Sequence, residues 1–341
     1  MSASLAKKDL LAILVVLLIP FLDQILPSNL QLSDSFRTIF IFALMGLGLN
    51  IVTGYTGLLN LGSAAFMAIG AYSFAILTCA IYPFQIGFWP GLGSALLIGA
   101  ASGWVLGLPA IRLKGDYLAI VTLGFGEIVQ DLLRNLDGIT KGTQGINPLA
   151  PPSLFGLHFP TQNRIFCYYL FFALLVVMTW AVWNLSRSRT GRMWLSIRED
   201  ELAARTMGVK VVGLKLSACA IGAALCSFAG ALSASYFSST GEPGNFDFNI
   251  SIITLCIVIV GGLGSIRGVL VGAMVMIGIN TIVLSKLAAV LSAYGLSSTT
   301  NVFSSPTNWK YMIFGLALIL VMRYRPEGLA GNSSSKKLRR Q

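Results

Sequence analysis

Apolar residues in this chain come in long unbroken runs rather than in strict alternation or a narrow stripe. Ile165 to Leu185 contains no charged residue at all. Such a run matches the roughly 20 helical residues that cross about 30 Å of hydrocarbon, whereas barrel strands alternate over about ten residues. The pattern predicts an all-α, polytopic transmembrane bundle of about ten spans, at 10–26, 36–53, 62–80, 88–111, 116–135, 165–185, 214–236, 250–264, 268–290 and 309–323. The 250–264 run is short for a full crossing, which implies a broken or tilted pair with its neighbour. Residues 1–330 form one transmembrane domain in this reading, and 331–341 a basic tail.

Composition agrees: 55% of the 341 residues are hydrophobic and 11% charged, where a soluble chain carries about 25% charged residues. The net charge of +11 raises the question of nucleic acid, so the placement of the 24 basic residues matters. All but Arg37, Arg134, Lys141, Arg164, Lys286 and Lys310 fall on one side of the expected spans. That asymmetry is the mark of a cytoplasmic face and requires no nucleic acid. It places both termini in the cytoplasm. The first run follows Lys7 and Lys8 as a signal peptide would, but no small-residue cleavage site follows and further spans do, so a retained helix is expected.

Little here suggests chemistry. The five cysteines, Cys79, Cys167, Cys219, Cys226 and Cys256, sit in apolar stretches without a C-x-x-C pair, and His158 is the single histidine. Neither a metal site nor a catalytic residue is expected, and no cofactor. An intramembrane enzyme would need a nucleophile and base at depth. An ion-coupled transporter would need intramembrane carboxylates, and Glu127 is the one deep candidate.

Glu127, Asp131 and Arg134 lie along one helical face. An ionisable group at membrane depth faces the bundle interior or water. Glu127 therefore either meets a passing substrate or bonds to a neighbouring helix while Asp131 and Arg134 pair near the outer surface. A polar streak, Asn50, Thr53, Tyr55, Thr56, Asn60 and Ser63, surrounds Gly54 and Gly57 between two spans. Irregular backbone at that depth lines a cavity or is buried in protein, so Asn50, Tyr55 and Asn60 are candidates for a translocation path, the alternative being an ordinary satisfied turn. Gly99, Gly103 and Gly107 repeat every fourth position, as do Gly264, Gly268 and Gly272, and are read as helix-packing stripes. The string from Gly54 to Tyr72 weakly echoes that from Gly261 to Met274. Two external loops, 137–163 and 293–308, offer docking sites for a partner, the other reading being simple connectors.

The segment 186–213 is the one long cytoplasmic loop. Ser196 and Glu199 fit the S-x-x-E capping box, Glu199, Asp200 and Glu201 form an acidic first turn, and Gly208 can end a helix. A surface helix at about Ile197–Met207 is expected, about 16 Å long. Leu202, Ala203, Ala204 and Met207 give it an apolar surface that suits a groove on a soluble partner or, alternatively, lipid headgroups.

The run E-L-A-A-R-T-M-G, Glu201 to Gly208, resembles the E-x-A-A-x-x-x-G core with which ABC-importer permeases present a coupling helix to their ATPases. The chain as a whole resembles the branched-chain amino acid permeases of the LivM type, through "ALMGLGLNIVTGYTGLLNLGSAAFMAIGAY" (43–72), "GDYLAIVTLGFGEI" (115–128), "TKGTQGI" (140–146), "VIVGGLGSIRGVLVGA" (258–273) and "RPEGL" (325–329). Lys141 stands where the family usually has a second glycine. The resemblance implies ATPase-coupling roles for Ser196, Glu199, Glu201, Ala203, Ala204, Arg205 and Gly208. It also implies a complex with a second permease of LivH type, two ATP-binding subunits and a periplasmic solute-binding protein. The chain has no G-x-x-x-x-G-K-[ST] loop, which places ATP hydrolysis in a partner. Branched-chain amino acids are the expected substrate, with urea or short amides as the alternative.

Overall fold

The computed structural model describes residues 16–21, 23, 32–83, 85–110, 116–149, 152–154, 157–158, 164–284, 286, 309–325 and 327–330. The loop 293–308, the tail 331–341 and most of the 10–26 run lie outside these.

The described chain is a helical bundle. Its helices are α1 (Ser33–Leu49), α2 (Ser63–Thr78), α3 (Phe88–Ala110), α4 (Asp116–Asn135), α5 (Asp137–Thr140), α6 (Arg164–Arg187), α7 (Arg189–Glu199), α8 (Glu201–Thr206), α9 (Val211–Phe237), α10 (Phe248–Gly261), α11 (Ile266–Gly278) and α12 (Lys310–Tyr324). A two-residue antiparallel pairing joins β1 (Ser153–Leu154) to β2 (Leu157–His158) in the loop after α5. Among the described residues, six helical segments are long and apolar enough to cross a membrane: Ser33–Tyr55, Phe88–Pro109, Ile165–Arg187, Val211–Phe237, Pro243–Gly261 and Ile266–Leu284. Two more apolar helices are shorter, Ser63–Thr78 and Met312–Tyr324. The expected span 116–135 is the helix α4, but its charged residues, Asp116, Glu127, Asp131 and Arg134, set it apart from the apolar crossings.

The expected 250–264 span has different ends. Asp247 caps α10 by accepting from Ile250 N, a one-turn 3-10 helix at Pro243–Asn245 precedes it, and Gly262 to Gly264 are turn. The crossing thus runs 19 residues, from Pro243 to Gly261, enough for a bilayer with little to spare.

α1 is the axis of the bundle: nearly all of it lies inside the protein, whereas α3 and α6 leave more than half of their length uncovered. α9 packs on α1, α2 and α3, while α11 and α6 close the other sides of α1. Small residues explain these crossings. A Cβ on Gly103 would collide with that of Ala223, one on Gly99 with Ser227 Oγ, and one on Gly230 with the Met67 carbonyl. Lipid supplies no hydrophobic drive between helices, so backbone approach at these residues is what gives contact area. The second expected stripe needs one correction. Gly264 belongs to the turn before α11, with φ +81°, and Gly261 takes its place against Gly268 and Gly272.

The "RPEGL" string has a structural task. Leu329 N donates to Val260 O at 2.9 Å, Ala330 N to Gly261 O at 3.1 Å, and Ser265 Oγ to Ala330 O at 2.7 Å. The segment after α12 therefore clasps the α10–α11 turn. At the far end of α9, Thr240 brackets Ile146 through both backbone groups, which fixes the "TKGTQGI" string there.

Candidate functional site

The segment 186–213 folds as two short helices, α7 and α8, set against the end of the bundle. Ser188 caps α7 by accepting from Gly191 N. Its buried residues, Gly191, Trp194 and Ile197, recur at helical spacing and form the face turned to the spans. Trp194 is 1% exposed, packs with Ile51, Tyr55, Val182, Ala218 and Leu225, and donates Nε1–H to Leu214 O at 3.0 Å. α7 is thus keyed into the bundle by one indole.

The capping-box expectation fails. Ser196 lies inside α7 and its hydroxyl donates back to Met193 O at 2.8 Å, while Glu199 is the last residue of α7. The acidic run breaks the expected Ile197–Met207 helix in two, because Asp200 takes an extended backbone (φ −154°, ψ 110°) and accepts from Leu202 N and Ala203 N at 2.8 and 3.0 Å. Asp200 is the cap of α8, a stronger acceptor in that role because its carboxylate also faces the positive helix end. Gly208 ends α8 as expected, at φ +83°, with Val209 N donating to Ala204 O.

Glu201 is held from within the chain: Oε2 accepts from Lys215 Nζ at 2.7 Å and Oε1 from Arg205 Nη2 at 3.2 Å. Lys215 is buried on α9, so this ion pair staples α8 to a span. Ala204 is buried against Ile197 and Val211. Ala203 and Arg205 are exposed. Leu202 is 72% and Met207 86% exposed, and Leu195 and Val212 are also uncovered. Outward, α8 and its C-cap Met207 offer the apolar Leu202, Ala203 and Met207 beside the polar Arg205 and Thr206, and its inward side is bolted down.

Behind α7 two broken turns meet. α1 continues as a π-helix, Asn50–Tyr55, and then opens into irregular backbone until α2. Asn50 is fully buried and its Oδ1 accepts from Gly264 N at 2.8 Å, joining the α1–α2 turn to the α10–α11 turn. Arg198, exposed along its outer side on α7, directs its guanidinium to the bundle, where Nη1 donates to the Gly54 carbonyl. Tyr55 is buried beside Trp194. Asn60 is buried too: its Oδ1 accepts from Gly62 N, and it lines a cavity of about 10 Å³ with Val52, Leu58, Phe66, Leu106 and Thr122 among others. Asn50 Nδ2, Thr53 Oγ1 and Ser63 Oγ are buried with no hydrogen-bond partner among the described residues.

Glu127 stands apart from this assembly, exposed on α4 on a face it shares with Ile120, Ile128 and Leu132. Asp131 pairs with Arg134 at 3.8 Å, as one of the two readings had it, but Glu127 has no hydrogen bond or ion pair among the described residues. Among the described residues no group of three or more His, Cys, Asp or Glu forms a metal site. Trp194, Arg198 and Lys215 escaped the sequence reading. Their signal was one tryptophan with an arginine four residues on, in an otherwise basic segment.

Residues 31–322 match the family described as branched-chain amino acid transport system, permease component. The chain belongs to this family. It is 37% identical over 310 residues to the high-affinity branched-chain amino acid transport system permease protein LivM of Salmonella typhimurium, covering 85% of this chain and 67% of that one. It is 24% identical to LivH of Escherichia coli, over 87% of this chain and 93% of that protein. It is also 28% identical to the fructose import permease protein FrcC of Rhizobium meliloti, over 71% and 64%. No solved structure matches the chain. The LivM relatives favour the branched-chain amino acid reading over urea or short amides, and a transport-system permease over an ion-coupled carrier or an intramembrane enzyme.

Proposed function

We propose that this multi-pass membrane protein is one of two permease subunits of an ATP-driven importer for branched-chain amino acids, and that α8 with its exposed Leu202 and Met207 docks into an ATP-binding subunit at the cytoplasmic face. The observation that carries this is the two-sided character of α8. A helix that receives motion must offer a free surface to its driver and be fixed to what it drives. α8 does the first through Leu202, Ala203 and Met207 and the second through the Glu201–Lys215 pair.

A helix resting on headgroups would turn its apolar residues to lipid and its acidic residues to water, whereas Glu201 is drawn inward onto Lys215. The second permease is of LivH type, in keeping with the LivH relative, and a periplasmic binding protein delivers the amino acid. The path runs by the polar turn of Asn50, Tyr55 and Asn60, where unpartnered buried polar atoms call for water or a polar solute. Glu127, exposed on α4 apart from that turn, faces the second permease or a wider, water-filled part of the path, because a carboxylate does not rest against hydrocarbon.

The test is reconstitution with the ATP-binding subunits, the second permease and the binding protein in liposomes. ATP-dependent leucine uptake, with urea left outside, is the expected result. Uptake of leucine without ATP, or of urea alone, would refute the proposal.

A further inference from the structure

We infer that Arg198 is the positioning residue through which movement of α7 and α8 reaches the two broken turns of the bundle. The inference rests on the coupling role proposed for α8, and goes beyond it by naming where the motion enters the spans.

The geometry around Arg198 is specific. Its guanidinium donates to the carbonyl of Gly54, in the last turn of the long α1 segment, where backbone carbonyls lack intrahelical donors and the helix end is negative. A cation there replaces the missing donor and offsets that partial charge. Three glycines make the approach possible. A Cβ on Gly57 would lie 3.3 Å from Arg198 Cγ, one on Gly264 3.0 Å from Arg198 Nη1, and one on Gly54 2.6 Å from Gly264 N. The side chain of Arg198 is thus seated between the α1–α2 turn and the α10–α11 turn.

The two turns are also tied to each other by Asn50 Oδ1 and Gly264 N at 2.8 Å. Displacement of Arg198 therefore acts on both together. Each turn leads directly into an apolar helix, α2 or α11, and the α10–α11 turn is clasped by the segment after α12. Trp194, one helical turn before Arg198, fixes α7 to α9 by its indole. It supplies a fulcrum, and Arg198 extends beyond it to the paired turns.

The experiment uses the reconstituted complex and reads two quantities, retention of the ATP-binding subunits and leucine taken up per ATP hydrolysed. Arg198→Ala is expected to retain the ATP-binding subunits and continuing hydrolysis while uptake per ATP falls about tenfold, within the usual range of coupling energies. Arg198→Lys is expected to recover part of the loss, because an ammonium can still donate to a single carbonyl. A merely structural prop would lower assembly and leave the ratio unchanged.

Wild-type uptake per ATP in Arg198→Ala, loss of the ATP-binding subunits from it, or no recovery with Lys would each overturn the inference. If Arg198→Ala does not accumulate in the membrane, Arg198→Gln decides on the same ratio, a reduced value supporting the role and a wild-type value refuting it. Failure of the underlying coupling reading would show differently, as full retention of the ATP-binding subunits when Leu202 and Met207 are both made acidic.

Discussion

Lys215 Nζ lies 2.7 Å from Glu201 Oε2, joining a buried ammonium on the span α9 to the first residue of a six-residue helix outside it. A helix of that length does not hold together in water by itself. Its order comes from this pair, from the Asp200 cap and from Ala204 beneath it.

The two partners are unequal, because Lys215 is enclosed and Glu201 is about one-third exposed. Glu201→Ala leaves a cation buried and should loosen α8 by about 1–3 kcal/mol. Lys215→Met leaves Glu201 partly exposed and still paired with Arg205, with no charge stranded in the span, and should therefore cost less, about 1 kcal/mol. Hydrogen exchange of amides 202–207 in the detergent-solubilised protein reads the difference. Equal protection in both variants would contradict the ranking.

Asp200→Ala removes the acceptor of two amide protons and should destabilise α8 by about 1 kcal/mol, whereas Ser196→Ala removes only a hydroxyl that bonds backward within α7 and should be nearly neutral. The same exchange experiment, extended to 189–199, tests this. A larger effect from Ser196 would restore the capping box to that residue.

Much of the fold is legible in the sequence because the apolar runs are long, and those expected from residue 36 onward fall largely on helices where the structure describes them, with 250–264 shifted at both ends and 285 and 287–290 outside the described residues. The glycine stripe at 99, 103 and 107 is legible for the same reason, since four-residue spacing marks one helical face. The break at Asp200 is not. Both Ser196 and Asp200 are good caps by residue type, and the choice between them depends on Trp194 locking α7 into the bundle, a tertiary contact with no local trace. Asn50 shows the same limit: the sequence marks it as a polar residue at depth, but nothing local shows that its side-chain carbonyl accepts from Gly264 N, 214 residues away in sequence, while its Nδ2 is left without a partner among the described residues.

Gly103 should not accept a side chain. Gly103→Leu would drive a branched chain into Ala223 and the α9 backbone, at a cost of about 1–3 kcal/mol or more. A methyl group added at Gly124 on α4 would meet nothing within 4 Å, so Gly124→Ala should be accepted without loss. Thermal aggregation of the solubilised chain compares them, and equal midpoints would contradict the close crossing of α3 and α9.

Glu127→Leu should leave the stability of the isolated chain unchanged, since Glu127 makes no hydrogen bond or ion pair among the described residues, yet reduce leucine uptake by the assembled transporter. Uptake in reconstituted vesicles at matched protein level is the measurement. Wild-type uptake would remove Glu127 from the path and from the permease pairing.

The most direct measurement takes the double variant Leu202→Glu, Met207→Glu, which alters the two most exposed apolar side chains of α8 and its C-cap and spares Glu201, Asp200 and Arg198. The protein should reach the membrane at normal level and remain folded, but lose co-purification with the ATP-binding subunits and, with it, ATP-dependent leucine uptake. Full association and wild-type uptake in this variant would contradict the docking of α8 on the ATPase.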